Sequence, residues 1–308
     1  MNVDPVLALE SLGYTEREAA FLYLVAVHSG YFLRRQFDYF IDRQRGAIAQ
    51  HFLEKARVAG HIEVIDYGES RYVYHLFAKP IYRMLGNAES QNRRRKGDCT
   101  VHARLISLDY VLENDGQHYL VSDAEKARFF AGPRAVPPQV FSGADKKMFP
   151  SLGSFPVAVA DRTQPATSLV RFLFADEVLL TTEKFRRFLT VAGPLLQAIG
   201  NFEVIYASSS AHNFPAAKED FWKHFAPAVS VKQGVLGDGW RREPVSQAAR
   251  PAPSLHPKFT TLLLKYNYPR IRRKEPPSLR SVRHFGPSQT LQVTATDTDE
   301  IQKGSGMG

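Results

Sequence analysis

Apolar residues near the start of the chain recur with the spacing of amphipathic helices. This spacing predicts three helices, at about residues 15–29, 33–40 and 45–59. Thr15 and Glu18 have the separation of a capping box, which marks the start of the first helix. In the third helix, the residues predicted to face the core are Ile48, Phe52, Leu53 and Ala56.

The pattern changes to that of strands after the third helix. Residues 62–67 and 71–76 are rich in β-branched and aromatic side chains and flank a turn that contains Gly68. This arrangement predicts a hairpin. A short helix is expected at 80–85, and the polar, basic residues 87–100 are predicted to form a linker or exposed loop.

Two further helices are predicted at 101–113 and 123–130, before a stretch that is rich in proline and glycine. That stretch, residues 131–156, contains five prolines. Because proline and glycine interrupt regular structure, we expect a domain boundary there.

Beyond this boundary, short apolar strands alternate with helices. The predicted strands are 156–160, 169–175 and 202–207, and the predicted helices are 183–199 and 214–225. A strand, a helix and a further strand can form a right-handed crossover with parallel strands, so a small α/β domain is expected. In the last helix, the residues predicted to face inward are Phe221, Trp222 and Phe225.

Charge is distributed unevenly along the chain, whose formal net charge is +9. Residues 240–308 hold 12 Lys and Arg against 5 Asp and Glu, whereas residues 101–239 hold 14 of each. The Pro-rich, basic tail is predicted to be largely disordered, with one helical patch at 258–268. A local basic surplus suits a polyanionic partner, although a tail that only aids solubility would look the same.

Composition excludes several classes of protein. A single cysteine, Cys99, rules out a disulfide framework and a multi-cysteine zinc site. No apolar run approaches the ~20 residues that span a bilayer, and the N-terminus lacks the pattern of a secretory signal. We therefore expect a cytoplasmic protein with no membrane partner.

The order of three helices and a hairpin over residues 10–86 is that of a winged helix-turn-helix. In this fold the third helix enters the major groove of DNA, and the hairpin lies by the backbone. Arginine suits guanine and glutamine suits adenine, while basic residues elsewhere suit phosphate. The residues predicted to bind DNA are Arg34, Arg35, Gln36, Arg43, Gln44, Arg45, Gln50, Arg71, Arg93, Arg94, Arg95 and Lys96.

Each group within this set has its own expected role. Arg43, Gln44, Arg45 and Gln50 belong to the third helix and the turn before it, where bases are read. The other residues are expected to contact phosphate, with the minor groove as the alternative for Arg71. Acidic residues in the same elements leave protein–protein contact open as an alternative use of the fold. These acids are Asp38, Asp42, Glu54, Glu63, Asp66 and Glu69.

The segments LGYTEREAAFLYLVAVHSGYFLRRQF and RQRGAIAQHFLEKARVAGHIEVIDYGESRYVYHLF add a family resemblance. This part of the chain resembles winged-helix proteins of bacterial plasmids and integrated mobile elements, and it is similar to the replication-relaxation family. The resemblance covers about residues 10–130 by pattern and extends to about 226 by element order. It implies a C-terminal α/β domain like that of restriction-type endonucleases, and a role in replication, transfer or regulation.

Acids at the predicted strand ends raise the question of nuclease chemistry. Asp161, Asp176 and Glu177 follow strands, and Glu183 and Lys184 open a helix. A restriction-type site needs carboxylates that hold Mg²⁺ and an acid-x-Lys pattern, which is missing here. We therefore expect a degenerate, non-catalytic domain, with a metal-dependent endonuclease as the alternative. The ten histidines lack ligand spacing, so no catalytic residue, metal or cofactor is predicted.

The sequence thus predicts an α+β protein with four parts. They are a winged helix at 10–86, a basic linker and helical connector at 87–130, a small α/β domain at 150–235, and the tail at 240–308. The expected partners are double-stranded DNA and, through the α/β domain, a second copy or another protein.

Overall fold

Short helices and strands alternate along the chain. The structure, a computed structural model, describes residues 4–42, 46–137, 140, 156–176, 181–225 and 256–264. Within these residues the fold is mixed α+β and has two sheets. All of them belong to one unit, residues 1–271, so both sheets are parts of the same folded body.

The first sheet has three strands and lies among helices. In chain order the elements are α1 (Pro5–Glu10), α2 (Glu16–His28), β1 (Tyr31–Phe32), α3 (Arg34–Phe40), α4 (Ile48–Val58), β2 (Ile62–Asp66), β3 (Tyr72–Leu76) and α5 (Lys79–Met84). The strands pair in the order β1-β3-β2, and both pairs are antiparallel. The three predicted helices and the hairpin are confirmed, whereas β1 was not predicted.

Side-chain contacts fix the start of α2. The Thr15 backbone nitrogen donates to Glu18 Oε2 at 2.8 Å, and the Glu18 nitrogen donates to Thr15 Oγ1 at 3.4 Å, which confirms the capping box. Lys55 of α4 binds the same Glu18 carboxylate and so joins the two helices. The aromatic centre of the core beneath them comprises Phe21, Phe32, Phe37 and Phe52.

The start of α4 differs from the prediction. The helix begins at Ile48 rather than at about 45, and Ile48 is 49% exposed, although the pattern placed it in the core. The buried residues of α4 are Ala49, Phe52, Leu53 and Ala56. Because Ala49 takes the inward position of the first turn, Ile48 is rotated toward solvent.

The second sheet has five strands. They are β4 (His118–Tyr119), β5 (Val157–Val159), β6 (Val170–Ala175), β7 (Asn201–Ser208) and β8 (His256–Leu263), in the order β4-β5-β6-β7-β8. The β4–β5 and β5–β6 pairs are antiparallel, and β6, β7 and β8 are parallel. Between the parallel strands the chain forms α8 (Glu183–Ile199) and α9 (Phe214–Phe225). The predicted parallel pair with a helix between its strands is confirmed.

Strand β8 corrects the prediction for the tail. A helical patch was expected at 258–268, but residues 256–263 pair with β7 from Asn201↔His256 to Ser208↔Leu263. Phe259 packs on the core, while much of the strand is exposed, which explains its weak apolar signal. The rest of the predicted disordered tail, 240–308, lies outside the described residues.

The structure also differs from the predicted range of the second domain and from the predicted inward face of α9. β4 and β8 carry the second sheet beyond the predicted range 150–235 at both ends. In α9, Phe221 and Phe225 are buried as predicted, but Trp222 is exposed. Most of the predicted boundary 131–156 lies outside the described residues.

One helix packs against both sheets. The remaining elements are a 3-10 turn (Gln91–Arg93), α6 (Asp98–Glu113) and α7 (Asp123–Ala131). Residues of α6 share an apolar cluster with Tyr31 and Val73 of the first sheet and with Leu173 and Ile205 of the second. Residues 105–112 of α6 are all buried, so this stretch is covered on all sides and the predicted connector is the centre of the fold.

Gly30 provides a test of the packing at the end of α2. Its φ is +81°, and a Cβ there would lie 2.2 Å from the backbone oxygen of Asn92. Gly60 also has a positive φ, +68°, but its Cβ would meet nothing within 4 Å. We predict that Gly30→Ala lowers the free energy of unfolding by roughly 2–5 kcal/mol, because backbone strain adds to the clash.

Gly60→Ala is the matched control. This variant adds only backbone strain, so it should lower the free energy of unfolding by about 1–2 kcal/mol. Urea titration of both variants measures the difference. Equal losses would contradict the close approach of Gly30 to Asn92.

Candidate nucleic-acid interface

Helix α4 presents one face to solvent. The exposed residues of this face include Ile48, Gln50, His51, Glu54 and Arg57. Arg57 Nη2 lies 2.7 Å from Glu54 Oε1, so these two charges offset each other. Gln50 is exposed on this face, with His51 beside it.

The turn before α4 is bound to α3. Arg34 Nη2 donates to the carbonyl oxygen of Gly46 at 3.4 Å, and Arg34 Nε lies 3.6 Å from the Asp38 carboxylate. Arg34 keeps an exposed position from which it can reach phosphate. The residues predicted to read bases from this turn, Arg43, Gln44 and Arg45, lie outside the described residues.

Arg35 and Gln36 are bound to α6 instead of facing outward. Arg35 Nη1 and Nη2 each donate to one carboxylate oxygen of Asp109, both at 2.8 Å. Gln36 is fully buried, and its Nε2 donates to Asp109 Oδ1 at 2.9 Å and to the Leu105 oxygen at 3.0 Å. The prediction that these two residues contact phosphate is corrected. Gln36 has no exposed surface, and the guanidinium of Arg35 is already hydrogen-bonded to the Asp109 carboxylate.

Arg71 lies at the tip of the hairpin. The tip residues Glu69 and Ser70 have φ values of +54° and +59°. Arg71 Nη2 donates to Glu69 Oε2 at 2.5 Å, and both side chains are exposed. Exposed ion pairs are weak, so a phosphate can replace Glu69 as the partner of Arg71.

The basic run Arg93–Lys96 is folded against the first sheet. The Lys96 backbone nitrogen donates to Tyr31 Oη at 2.8 Å, and Tyr31 Oη donates to the carbonyl oxygen of Arg94 at 3.4 Å. Asn92, just before the run, is buried and donates to two carbonyl groups at the end of α2. Residues 87–100 were predicted to form a linker or an exposed loop; much of the segment is exposed, but these contacts fix it to the folded body.

Only part of this run faces solvent. Arg93 Nε donates to the carbonyl oxygen of Ala88 at 3.2 Å, and Lys96 is partly buried. Arg94 and Arg95 are exposed, with Arg95 Nε 4.0 Å from the Glu63 carboxylate. Arg94 and Arg95 are thus the cations of this run that are open to a polyanion.

The acids considered as nuclease ligands lie at opposite ends of a strand. Asp161 follows β5, whose last residue Val159 pairs with Val170 at the start of β6, whereas Asp176 follows the end of β6. At about 3.3 Å per residue, the six steps from Val170 to Asp176 span about 20 Å, and Asp161 lies beyond Val159, the partner of Val170. One Mg²⁺ ion cannot bridge that distance, so a shared metal site for Asp161 and Asp176 is ruled out.

Each of these acids has a local structural role. Asp161 Oδ1 accepts from Thr163 nitrogen and Thr163 Oγ1, and these hydrogen bonds lower the pKa of Asp161. Asp176 is buried and accepts from Ser208 Oγ at 3.3 Å and Asn213 Nδ2 at 3.4 Å. Glu177 lies outside the described residues, and within those residues no three His, Cys, Asp or Glu side chains form a metal site.

Comparisons of the chain with protein-family models, with curated proteins and with solved structures found no match. In the part of the chain that the structure describes, no helix has the length and apolar character needed to cross a bilayer. A functional assignment therefore depends on the geometry of the chain's own residues.

The Arg35–Asp109 contact can be tested by substitution. Asp109 is 3% exposed, and Arg35→Ala removes one partner of its carboxylate. Loss of one member of a buried pair leaves an uncompensated charge, so we predict a loss of about 3 kcal/mol in the free energy of unfolding. Arg34→Ala is the matched control, because its exposed contact with Asp38 should contribute less than about 1 kcal/mol. Equal effects in a denaturant titration would count against the assigned role of Arg35.

Two buried histidines predict how stability depends on pH. Burial lowers the pKa of His28 to about 3 and that of His102 to about 4, from 6.5. Below pH 6.5 the unfolded chain binds protons that the folded chain does not, so acidification favours unfolding. As the pH falls, each histidine should lower the free energy of unfolding by about 1.4 kcal/mol per pH unit, until the pH reaches the pKa of that histidine in the folded chain.

Denaturant titrations between about pH 7 and about pH 5 measure this slope. His28→Gln and His102→Gln should each make it shallower, because glutamine does not titrate. A slope that neither substitution changes would refute the assignment.

Proposed function

We propose that the chain binds double-stranded DNA selectively, through a winged helix-turn-helix formed by residues about 10–86. The observation that carries the proposal is the order α2, β1, α3, α4, β2, β3 combined with the β1-β3-β2 sheet. This order places a helix with an exposed face directly before a hairpin, as DNA recognition by this fold requires.

The resemblance to the replication-relaxation family supports a biological setting for this activity. The protein would serve a bacterial mobile element as a regulator or as an accessory protein in replication or transfer, and it would act in the cytoplasm. The basic tail would add affinity that is independent of sequence through the release of counterions.

In this mechanism α4 lies in the major groove. Gln50 contacts a base edge, together with Arg43, Gln44 and Arg45 from the preceding turn. The backbone on either side is bound by phosphate contacts. Their donors are Arg34, Arg71, Arg94 and Arg95.

We also propose that the second sheet and its helices are not a nuclease centre. The distance between the ends of β6 that carry Asp161 and Asp176 supports a degenerate, non-catalytic domain. Contact with a second copy or with a protein partner is the role proposed for it.

A protein-contact role for the N-terminal part is the second candidate function. The observation that favours it is the pairing of exposed cations with nearby acids, in Arg57–Glu54 and Arg71–Glu69. A surface with balanced charge gains less from a phosphate backbone than a basic one does.

Fluorescence anisotropy with the full chain and a labelled random duplex tests the proposal. We predict affinity that falls steeply between about 50 and 200 mM salt, because bound cations displace counterions. Arg71→Ala should reduce the salt slope by about 1 because it loses a phosphate contact, whereas Arg45→Ala should weaken binding through the loss of a base contact. Including Mg²⁺ in the same assay should leave the duplex intact.

Arg186→Ala on α8 is the matched control. Arg186 is an exposed arginine whose Nε lies 3.8 Å from Asp220, so the variant loses the same charge away from the proposed interface. The control should keep the wild-type slope. If the wild type failed to bind even at low salt, the protein-contact function would replace DNA binding.

A further inference from the structure

An exposed apolar residue lies in the first turn of α4, at a position that the hydrophobic pattern of the helix assigns to the core. Ile48 is 49% exposed, next to the exposed Gln50 and His51, because Ala49 takes the buried position. Side chains two residues apart on a helix point in nearly opposite directions. Ile48 and Gln50 therefore lie at the two edges of the exposed face, with His51 between them. The two side chains would therefore reach different base pairs.

The cations of α4 are already engaged. Arg57 is paired with Glu54, and Lys55 binds Glu18 of α2. Guanine is read mainly by arginine and lysine, so the described part of α4 offers no unengaged side chain of the type that favours a G·C pair.

The side chains of Ile48 and Gln50 are suited to an A·T pair. The amide of Gln50 presents a donor beside an acceptor, which is complementary to adenine N6 and N7. The branched side chain of Ile48 can cover the C5 methyl group of thymine, the apolar group that the major groove exposes.

We infer that α4 reads A·T base pairs, with Gln50 on an adenine and Ile48 on a thymine methyl group of another pair in the same site. The inference rests on the proposed DNA binding by α4 and assigns it a class of target sequence. Arg43 and Arg45, outside the described residues, can add guanine contacts elsewhere in the site without changing this assignment.

Replacing thymine with uracil removes only the methyl group, so it isolates the contact of Ile48. The test compares binding of the full chain to alternating poly(dA-dT), poly(dA-dU) and poly(dG-dC) by competition against one labelled duplex. We expect poly(dA-dT) to bind best. Loss of the methyl group should weaken binding about three- to fourfold for each thymine contacted, as expected for one buried methyl group.

Two variants divide the inference into its parts. Ile48→Ala should abolish the difference between poly(dA-dT) and poly(dA-dU) while leaving binding in place. Gln50→Ala should reduce the preference for poly(dA-dT) over poly(dG-dC) by about fivefold or more. Val58→Ala is the matched control, because Val58 is a β-branched residue at the far end of the same helix and is 72% exposed.

The possible failures are distinct. Equal, salt-sensitive binding to all three polymers would overturn the inference and leave the proposed function intact. The inference would also be overturned, with the proposed function intact, if the difference between poly(dA-dT) and poly(dA-dU) persisted in Ile48→Ala or disappeared in Val58→Ala. Absence of binding to every polymer at low salt would overturn DNA binding itself.

Discussion

The fold depends on the burial of one helix from two sides. α6 contributes Leu105 and Ile106 to the cluster that touches both sheets, and Leu108 and Leu112 to the core beneath α2. α6 covers one apolar face of each sheet, and that face would be exposed without it. The hydrophobic contribution of this helix is therefore shared between two parts of the molecule that the sequence suggested were separate.

A polar contact orients the helix within this apolar setting. A buried carboxylate is costly unless it is paired and hydrogen-bonded, and Asp109 satisfies that requirement with Arg35 and Gln36 of α3. The contact aligns α3 on α6, and Arg34 then binds the turn before α4. The position of the proposed recognition helix is thus tied to the centre of the fold through neighbouring residues of one short helix.

Local signals in the sequence predicted most of the elements. The capping box at Thr15 and the alternation on either side of Gly68 act over a few residues, so they survive in any tertiary context. The two-residue strand β4 and the exposed edge strand β8 lack such signals, because pairing with a neighbouring strand defines them.

The site was harder to predict than the fold. Arg35 and Gln36 looked like phosphate ligands because only residue type and helix position were visible. Their partner Asp109 is 74 residues from Arg35 along the chain, and sequence spacing carries no information about such a contact. One signal was present, since an aspartate within the apolar run around Leu108 and Tyr110 must find a buried partner.

Burial of residues 105–112 of α6 on all sides also limits how this protein can change in evolution. Inserting or deleting one residue within the helix would turn everything beyond that point by about 100°. An amphipathic surface helix can absorb such a change at its solvent side, but residues 105–112 of α6 have no such side. Its length should be constant among descendants of this chain even where the surrounding loops vary, and that constancy would identify relatives whose sequences have otherwise diverged.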